Sequence, residues 1–419
     1  MAKQADVVVV GGGVVGLCVA RALCARGRQV TVVEKARPGA GCSSGNAGLV
    51  VPSHIVPLAA PGVVAQGIRW MLRRESPFRI KPRLDRRLFG WLWAFRKSCT
   101  EEHVRRSIPV LRDLNLASRN LFERWAEDGA LEDFGFAPSG LLMLHETEKG
   151  REKDREEAER ARRAGLDVRI MEREALAELA APLSASVRGG VYYRQDAYLH
   201  PSRLVEALEK DLGERGVTFR TGTAVVGFER QNGTVRALRT TQGTLQAEEV
   251  VLAAGAWSAP LARMLGLTLP VEPAKGYSVT VEVPRESRPD VPFVLTESKV
   301  AVTPMGDRVR FAGTLELAGF DASIDPRRVK PILEVAAQYA PGVDPEAPED
   351  ADVWVGFRPC TPDGLPLIGR APGVDNLVIA TGHAMMGVSL APITGELVAD
   401  VVQGAPPSID IGALRPDRF

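Results

Sequence analysis

The sequence predicts an α/β protein in which a domain built on a parallel sheet is interleaved with an α+β domain built on an antiparallel sheet. A valine-rich run near the start leads into closely spaced glycines and then into a helical segment. Two later apolar segments, 249–258 and 376–383, run into small residues, as buried parallel strands do before a turn. Between them, residues 277–311 alternate apolar and polar side chains, which indicates antiparallel strands.

The start of the chain carries the pattern of a dinucleotide-binding unit. A buried strand is predicted at 6–10, a helix at 17–26 and a second strand at 29–34, which closes on Glu34. The glycines after the first strand fit the spacing G-x-G-x-x-G: Gly11, Gly13 and Gly16. In this pattern the glycines permit a tight turn, a close pyrophosphate and close helix packing, and an acid about 20 residues on reaches a ribose hydroxyl. We therefore expect a Rossmann-like domain; the alternative is an ordinary strand-turn-helix unit.

Length and composition exclude several classes of function. The chain has 419 residues, of which 45% are hydrophobic and 25% charged, with a net charge of +1, so nothing global indicates a nucleic acid partner. The five cysteines include no C-x-x-C pair, so they predict neither a metal site nor a disulfide framework. We expect reduced thiols in a cytoplasmic protein, because no secretory signal precedes the first strand and no apolar run approaches the ~20 residues of a membrane-spanning helix.

Residues 37–53 are rich in glycine, serine and alanine and poor in large side chains. This composition is typical of a flexible loop, or of a backbone that lies against a flat cofactor and has no room for side chains. Because the glycine motif lies just upstream, we favour the cofactor interpretation.

The segment 54–97 combines tryptophans with basic residues. From Arg69 to Lys97 there are ten Lys or Arg but only two acids, Glu75 and Asp85. Aromatic residues among bases indicate a surface at a membrane interface. The alternative is a buried helical subdomain with a solvated basic face.

Periodicity and turn residues predict the remaining elements. Helices are expected at 104–130, 146–164, 200–216, 326–340 and 386–402. Hairpins are expected over 134–144, turning at Pro138-Ser-Gly140, and at Asn232-Gly233. The chain thus leaves its first domain and returns twice. We expect the first domain to comprise 1–80, 196–270 and 356–419, and the second 81–195 and 271–355, with the Trp-rich basic insert around 54–97.

Several blocks together resemble the D-amino acid oxidase superfamily of FAD-dependent oxidoreductases, over nearly the whole chain. They are the glycine motif with Glu34, Ser43–Gly48, Ala253–Ser258, Gly356–Gly369 and Ala380–Gly387. The branch that the chain is most similar to is that of the D-amino acid dehydrogenases. The markers of that branch are Ser-x-x-Asn-Ala-Gly at 43–48, Ala60-Pro-Gly with the Trp-rich insert, and Lys275-Gly-Tyr-Ser278.

The resemblance implies FAD in the first domain and the substrate in the second. The glycine motif would hold the pyrophosphate, Glu34 the adenosine ribose and Val225 the adenine. Residues 382–389 would place a helix N-terminus near the flavin pyrimidine, which is negative when reduced. Gly356 stands where some members attach the flavin through cysteine, so we expect non-covalent FAD. The residues implied to contact FAD are Gly11, Gly13, Val14, Val15, Gly16, Glu34, Lys35, Ser43, Ser44, Asn46, Ala47, Gly48, Leu49, Val225, Ala253, Ala254, Gly255, Trp257, Gly382, Met385, Met386, Gly387, Val388 and Ser389.

Arg358 matches the arginine that holds the substrate carboxylate in D-amino acid oxidases, and a planar guanidinium suits that bidentate contact. The alternative is a salt-bridged structural arginine. Glycine oxidases have a second arginine where this chain has Met385. A second carboxylate contact would therefore come from Tyr277 or His54, each of which could equally be a packing residue.

The resemblance implies oxidation of D-amino acids to 2-oxo acids and ammonia, in amino-acid catabolism. Hydride would pass from the substrate Cα to flavin N5, and electrons to an external acceptor, a quinone or a dye. The alternatives are an oxidase or dehydrogenase of glycine, proline-like or N-methyl amino acids, and a non-catalytic FAD-binding subunit. Arg358 favours an enzyme, since a non-catalytic subunit needs no carboxylate clamp. The basic Trp-rich stretch favours a quinone, and hence a peripheral contact on the inner face of the membrane.

Overall fold

A computed structural model describes residues 5–71, 76–179, 183–346 and 352–419. Its strands are β1 Ala5–Val10, β2 Val30–Val33, β3 Leu49–Val50, β4 Phe78–Ile80, β5 Leu141–His145, β6 Val168–Glu172, β7 Gly189–Tyr193, β8 Ala197–Tyr198, β9 Thr218–Arg220, β10 Val225–Gln231, β11 Thr234–Thr240, β12 Gly243–Leu252, β13 Glu272–Glu282, β14 Phe293–Leu295, β15 Ala301–Met305, β16 Arg308–Leu317, β17 Val353–Cys360, β18 Leu367–Arg370 and β19 Leu377–Thr381. Its α-helices are α1 Val14–Ala25, α2 Val63–Met71, α3 Arg86–Ser98, α4 Glu101–Glu127, α5 Glu148–Arg163, α6 Arg173–Leu179, α7 Pro201–Glu214, α8 Ser258–Arg263, α9 Pro326–Tyr339 and α10 Ala391–Gln403.

The first sheet has parallel strands at its centre. β1 lies between β12 and β2, all three parallel, and β9 and β19 extend the parallel run on either side. The buried valines of β1 explain its central place, because a strand covered by helices on both faces carries apolar side chains throughout. The sheet confirms the predicted α/β class and both predicted returns of the chain.

Helices α1, α7 and α10 cover one face of this sheet. The crossing of α1 and α10 is close, since a Cβ on Gly395 would lie 2.4 Å from the carbonyl oxygen of Cys18. Helix α4 packs on α10, and its Leu111, Leu114 and Phe122 belong to the same core as Leu17 of α1. A helix that we assigned to the second domain therefore belongs to the core beside the first sheet.

The second sheet has the strand order β17-β13-β16-β15-β14-β5-β7-β6, and β4 pairs with β16. Its pairings are antiparallel except β14 with β5 and β16 with β4. Helix α9 packs on this sheet and closes a second core with Phe293 and Phe311. The predicted boundaries at 80 and 356 remain predictions, but β4 and β17 both lie in the second sheet because hydrogen bonding to β16 and β13 places them there.

Two local predictions were wrong. Residues 134–144 form no hairpin: Ala137 bridges Tyr198, while β5 pairs with β7 and β14, because partners distant in the chain compete successfully with the local turn. The last helix begins at Ala391 rather than Met386, since a short 3-10 turn occupies Ala384–Met386.

The Trp-rich insert is partly buried and partly exposed, and its contact with a membrane stays a prediction. Trp91 of α3 is buried and its Nε1 donates a hydrogen bond to the Cys360 carbonyl oxygen at 2.9 Å. On the same helix Phe89 and Trp93 are 57% and 59% exposed. Arg73 and Arg74 fall outside the described residues. No helix in the described ranges is long and apolar enough to cross a membrane.

Candidate active site

A cavity of about 1290 Å³ lies between the carboxyl ends of the first-sheet strands and one face of the second sheet. Such a cavity exceeds the ~300–1,000 Å³ of an ordinary small-ligand pocket and has room for a dinucleotide together with a small substrate. In the first domain, its wall includes Val10, Glu34 and Ala253, which stand at or just beyond strand ends. In open α/β sheets this edge is where ligands bind.

Two glycines of the motif, Gly11 and Gly16, pack closely against neighbouring backbone, whereas Gly13 has open space beside it. Gly11 has a φ of +114°, and a Cβ there would lie 2.5 Å from the Ala253 carbonyl oxygen. A Cβ on Gly16 would lie 2.0 Å from the carbonyl oxygen of Gly11. A Cβ on Gly13 would meet only Ser43 Oγ, at 3.4 Å, and would project into the space beside the N-terminus of α1. That cradle fits a pyrophosphate.

Glu34 is fixed by the backbone at the end of β2. Its Oε2 accepts a hydrogen bond from the Gly12 amide at 2.7 Å, and its Oε1 one from the Ala36 amide at 3.0 Å. The next residue, Lys35, places Nζ 3.5 Å from the centroid of the Trp257 ring, and burial lowers the pKa of Lys35. Both residues line the cavity, as does Val225.

The loop at 43–48 is held rigidly between the two domains. Ser43 Oγ accepts a hydrogen bond from the Val14 amide at 3.0 Å and so caps α1. From the second sheet, Nη1 of Arg310 donates to the carbonyl oxygens of Ser44 and Asn46 at 2.8 and 2.7 Å. The small-residue segment is therefore an ordered wall of the cavity, as the cofactor interpretation requires, and not a free loop.

Most of the predicted cofactor residues line the cavity, but five lie behind its wall: Gly16, Ser44, Gly48, Gly382 and Ser389. Ser44 Oγ donates to the Gly39 carbonyl oxygen, and a Cβ on Gly48 would lie 2.3 Å from the Leu199 carbonyl oxygen. Ser389 Oγ donates to Asn115 Oδ1 at 2.7 Å. These residues shape the wall through turns and hydrogen bonds of their own. Whether the others contact FAD stays a prediction.

Arg358 stands on β17 with its guanidinium in the cavity wall. Its Nη1 donates to the Thr314 carbonyl oxygen at 2.6 Å. No carboxylate of the described residues lies within 4.0 Å of it, so the salt-bridged alternative finds no partner there. Burial lowers the pKa of Arg358 but leaves it a cation. A half-buried cation that is held only by carbonyl groups is suited to bind an anion.

Tyr277 also lines the cavity, but its hydroxyl is already engaged. The hydroxyl donates to Glu316 Oε2 at 3.1 Å, and Nζ of Lys275 lies 3.0 Å from the same oxygen. All three side chains are buried, and burial raises the pKa of Tyr277. A substrate carboxylate would meet the face or edge of this ring unless the hydroxyl leaves Glu316, so the predicted contact stays a prediction.

His54 lines another part of the same cavity. Its Nδ1 lies 3.1 Å from Ser53 Oγ, which donates to Asp196 Oδ2 at 2.5 Å. Burial raises the pKa of Asp196 to about 7 and lowers the pKa of His54, so the imidazole is neutral at pH 7. The hydrogen bonds fix its ring, and its predicted contact with the substrate is likewise still a prediction.

Sequence reasoning missed several residues of the wall. The Trp354 indole fills the space that a Cβ on Gly45 or Gly356 would enter, at 2.0 and 2.1 Å. Cys42 Sγ donates to the Phe357 carbonyl oxygen at 2.7 Å, and burial raises the pKa of its thiol to about 11. The glycines that make room for the Trp354 ring could have been noticed in the sequence. No local pattern in the sequence singles out Cys42. Within the described ranges no group of three His, Cys, Asp or Glu could hold a metal ion.

A glycine-motif cradle at a helix N-terminus, an acid at the second strand end and a cation in the wall of the same cavity are typical of a dinucleotide-dependent enzyme. The chain belongs to the FAD dependent oxidoreductase (DAO) family, whose profile matches residues 6–401. The predicted family, fold class and FAD cofactor are thereby confirmed.

Similar proteins cover the whole chain. It is 38% identical to the D-amino acid dehydrogenase of Methylobacterium nodulans, over 99% of both chains, and 36% identical to that of Vibrio vulnificus strain YJ016, over 95% of both. Among solved structures, glycine oxidase from Geobacillus kaustophilus superposes with a TM-score of 0.78 at 26% identity, covering 100% of both chains. L-proline dehydrogenase from P. horikoshii shares the fold, with a TM-score of 0.74 at 20% identity.

Proposed function

We propose that this chain oxidises D-amino acids to 2-oxo acids and ammonia and passes the electrons to an external acceptor. The observation that carries the proposal is the guanidinium of Arg358, which stands in the cavity wall with carbonyl oxygens as its partners. Relatives at 38% and 36% identity that cover nearly all of both chains carry the name D-amino acid dehydrogenase.

Arg358 has the first role in this reaction, which is to bind the α-carboxylate through a pair of charge-assisted hydrogen bonds. Binding the carboxylate at a fixed cation orients the α C–H bond and supplies the positioning part of catalysis. FAD held beside this clamp would supply the two-electron acceptor for the hydride of the substrate Cα. The hydride would leave from the neutral amine, so the step requires no dedicated side-chain base, and water would then hydrolyse the imino acid to the 2-oxo acid and ammonia.

The glycine cradle, Glu34 and the ordered 43–48 loop would hold FAD, without a covalent bond. The position that carries the flavin-linked cysteine in some members of the family is Gly356, and a Cβ there would meet the Trp354 ring. Flavin released by mild denaturation supports this assignment, whereas flavin that migrates with the chain in a denaturing gel contradicts it.

A second candidate substrate class is glycine and its N-substituted relatives, including proline-like and N-methyl amino acids. The observation that favours it is the likeness to a glycine oxidase at 26% identity over the whole chain. Met385, 47% exposed at the cavity, stands at the position of the second arginine of glycine oxidases, and this difference favours the D-amino acid assignment. A non-catalytic FAD-binding subunit has no use for the cation at Arg358.

For the acceptor we propose a quinone that is reached at a membrane surface. Helices α2 and α3 expose Ile68, Met71, Phe89 and Trp93, all of which also border the cavity. Basic residues flank this apolar surface, including Arg86, Arg87 and Lys97. Apolar side chains ringed by bases match an anionic bilayer surface.

The test is anaerobic addition of single amino acids, both enantiomers and glycine, to the FAD-loaded protein. Loss of flavin absorbance near about 450 nm with D-amino acids supports the proposal. Reduction by glycine or sarcosine alone supports the second candidate, and no reduction by any amino acid overturns both. Reoxidation by a quinone analogue that outpaces oxygen supports the dehydrogenase assignment.

A further inference from the structure

One face of the second sheet forms the floor of the cavity and carries a second cation besides Arg358. Cross-strand pairing joins Trp354 to Ser278, Ser278 to Ala312 and Ala312 to Ala301. These four side chains therefore lie on one face of the sheet, together with every second residue along each strand. Arg358, four residues beyond Trp354, and Lys299, two residues before Ala301, both line the cavity. The two cations therefore both lie in the wall of one cavity, Arg358 on β17 and Lys299 in the hairpin before β15.

The spacing between these cations suits a small molecule. The strand β17 that carries Arg358 is separated from β15 by β13 and β16, and Lys299 lies in the hairpin just before β15. Three strand spacings amount to about 14 Å between backbones. Because the Arg358 guanidinium reaches across Gly276 to the Thr314 carbonyl oxygen of β16, it lies one strand from the hairpin that carries Lys299, a separation that a small dicarboxylic molecule can span.

Lys299 lacks an anion of its own. No carboxylate in the described part of the chain lies within 4.0 Å of its Nζ, whereas the adjacent Lys153 pairs with Glu157 at 3.5 Å. Burial and the neighbouring Lys153 ammonium lower the pKa of Lys299 to about 8, so it is still mainly charged at pH 7. Lys299 and the α5 residues Lys153, Glu156, Glu157 and Arg160 line the cavity with three cations and two carboxylates, while Asp154, behind the wall, is hydrogen-bonded to His145 and Thr296. A bound anion would relieve the excess positive charge at the wall.

We propose that Lys299 binds the side-chain carboxylate of acidic amino acid substrates, while Arg358 binds their α-carboxylate. This inference rests on the proposed function and specifies its substrate class: a four- or five-carbon dicarboxylic amino acid rather than an aliphatic or basic one. A basic side chain would meet two ammonium groups, and an aliphatic one would leave the excess charge unmatched.

The first test uses binding alone. Glutarate and pentanoate have the same number of carbon atoms, but only glutarate has a second carboxylate, and neither can be oxidised at an amino carbon. Titration calorimetry on the FAD-loaded protein should give glutarate about tenfold or greater tighter binding than pentanoate. In Lys299→Met, which keeps the side-chain length and removes the charge, this difference should disappear. Equal binding of both acids by the unmodified protein overturns the inference.

The second test uses turnover of D-glutamate and D-glutamine, which differ by one charge. The ratio of their kcat/KM values should fall by about tenfold or more in Lys299→Met and be restored toward the original value in Lys299→Arg. The control Lys210→Met removes an exposed lysine of α7 and should leave the ratio unchanged. An unchanged ratio in Lys299→Met overturns the inference, and Lys299→Gln serves if that variant does not fold.

The two proposals fail differently. If D-glutamine and D-alanine reduce the flavin but the glutamate-to-glutamine ratio does not respond to Lys299, the proposed function stands and the assignment of Lys299 is wrong. If no amino acid reduces the flavin, the proposed function is wrong, and the glutarate titration alone decides what Lys299 binds.

Discussion

A Cβ on Gly276 would lie 2.1 Å from Nη1 of Arg358. Gly276 pairs with Gly356 across β13 and β17, so the guanidinium lies over a strip of backbone without side chains. Gly276 has no positive φ, so alanine meets no backbone strain there and only the guanidinium must move. The position of the proposed carboxylate clamp therefore depends on a glycine in the neighbouring strand.

We predict that Gly276→Ala lowers kcat/KM for D-amino acids by about 10- to 100-fold, because a displacement near 1 Å of a positioning group costs that much. FAD content and thermal stability should stay close to those of the unmodified protein. Gly213→Ala, in an exposed position of α7 with open space around it, is the matched control. Unchanged kinetics in a folded, FAD-loaded Gly276→Ala protein would show that the guanidinium position does not matter.

Arg358→Ala should lower kcat/KM by about 30- to 1000-fold, which corresponds to roughly 2–4 kcal/mol of lost transition-state binding. Arg358→Lys should recover only part of the loss, because an ammonium cannot reproduce the two parallel hydrogen bonds of a guanidinium. Steady-state kinetics with a dye acceptor measure both values. A fully active, FAD-loaded Arg358→Ala protein would exclude the clamp.

Gly13→Leu should yield protein without FAD, because the side chain would occupy the space beside the N-terminus of α1 that we assign to the pyrophosphate. The flavin-to-protein absorbance ratio after purification reports the loss. Gly213→Leu is the control, and it should retain FAD. Normal FAD content in Gly13→Leu would contradict the assigned pyrophosphate position.

If the protein docks on a membrane, neutralising four basic side chains should abolish its pelleting with anionic vesicles. Each base near the surface contributes about 1 kcal/mol to the binding free energy. The bases changed to glutamine are Arg73, Arg74, Arg86 and Arg87. Quinone reduction should slow while activity with a soluble dye is retained. The control variant changes four exposed arginines of the first domain: Arg215, Arg230, Arg236 and Arg239. If the unmodified protein ignores anionic vesicles at low salt, or consumes oxygen as fast as dye, the chain is a soluble oxidase.

We predict that the buried His383 makes the folded protein less stable in mild acid. The ring is buried, and its Nε2–H donates to Thr394 Oγ1 at 2.9 Å, since that hydroxyl itself donates to the Leu390 carbonyl oxygen at 2.8 Å. Burial lowers the pKa of His383 to about 4. Because the folded pKa is below the unfolded value near 6.5, the unfolded chain binds the proton first and stability falls as pH drops from about 6.5 to about 4.

The expected loss over that window is of order 3 kcal/mol, and it should be absent in His383→Gln. Urea unfolding of both proteins at pH 7, 5.5 and 4.5 measures the difference between them, so that other acidic transitions cancel. Parallel pH profiles of the two proteins would contradict a neutral buried histidine.

Much of the first domain could be predicted from the sequence because its signals are local. Four valines followed by spaced glycines specify a buried strand, a turn and a close helix within a few residues, and β1 and α1 lie where these signals place them. The turn at Asn232-Gly233 is equally local, since both residues have the positive φ that such a turn needs. The family resemblance then indicated Arg358, with Tyr277 or His54 as alternatives for a second contact, and all three line the same cavity.

Only the tertiary structure decided what those side chains face. That Tyr277 donates to Glu316 depends on the register of β13 against β16, and that Arg358 has space depends on Gly276 in the next strand. Lys299 lines the same cavity from the hairpin before β15, and no sequence motif marks it. Strand pairing brings together residues that are far apart in the chain. Their charges interact according to distances in space, which cannot be read from a local sequence pattern. The sequence therefore determined the domains' local elements and cofactor class, while the packing of the second sheet determined which charges stand in the cavity wall.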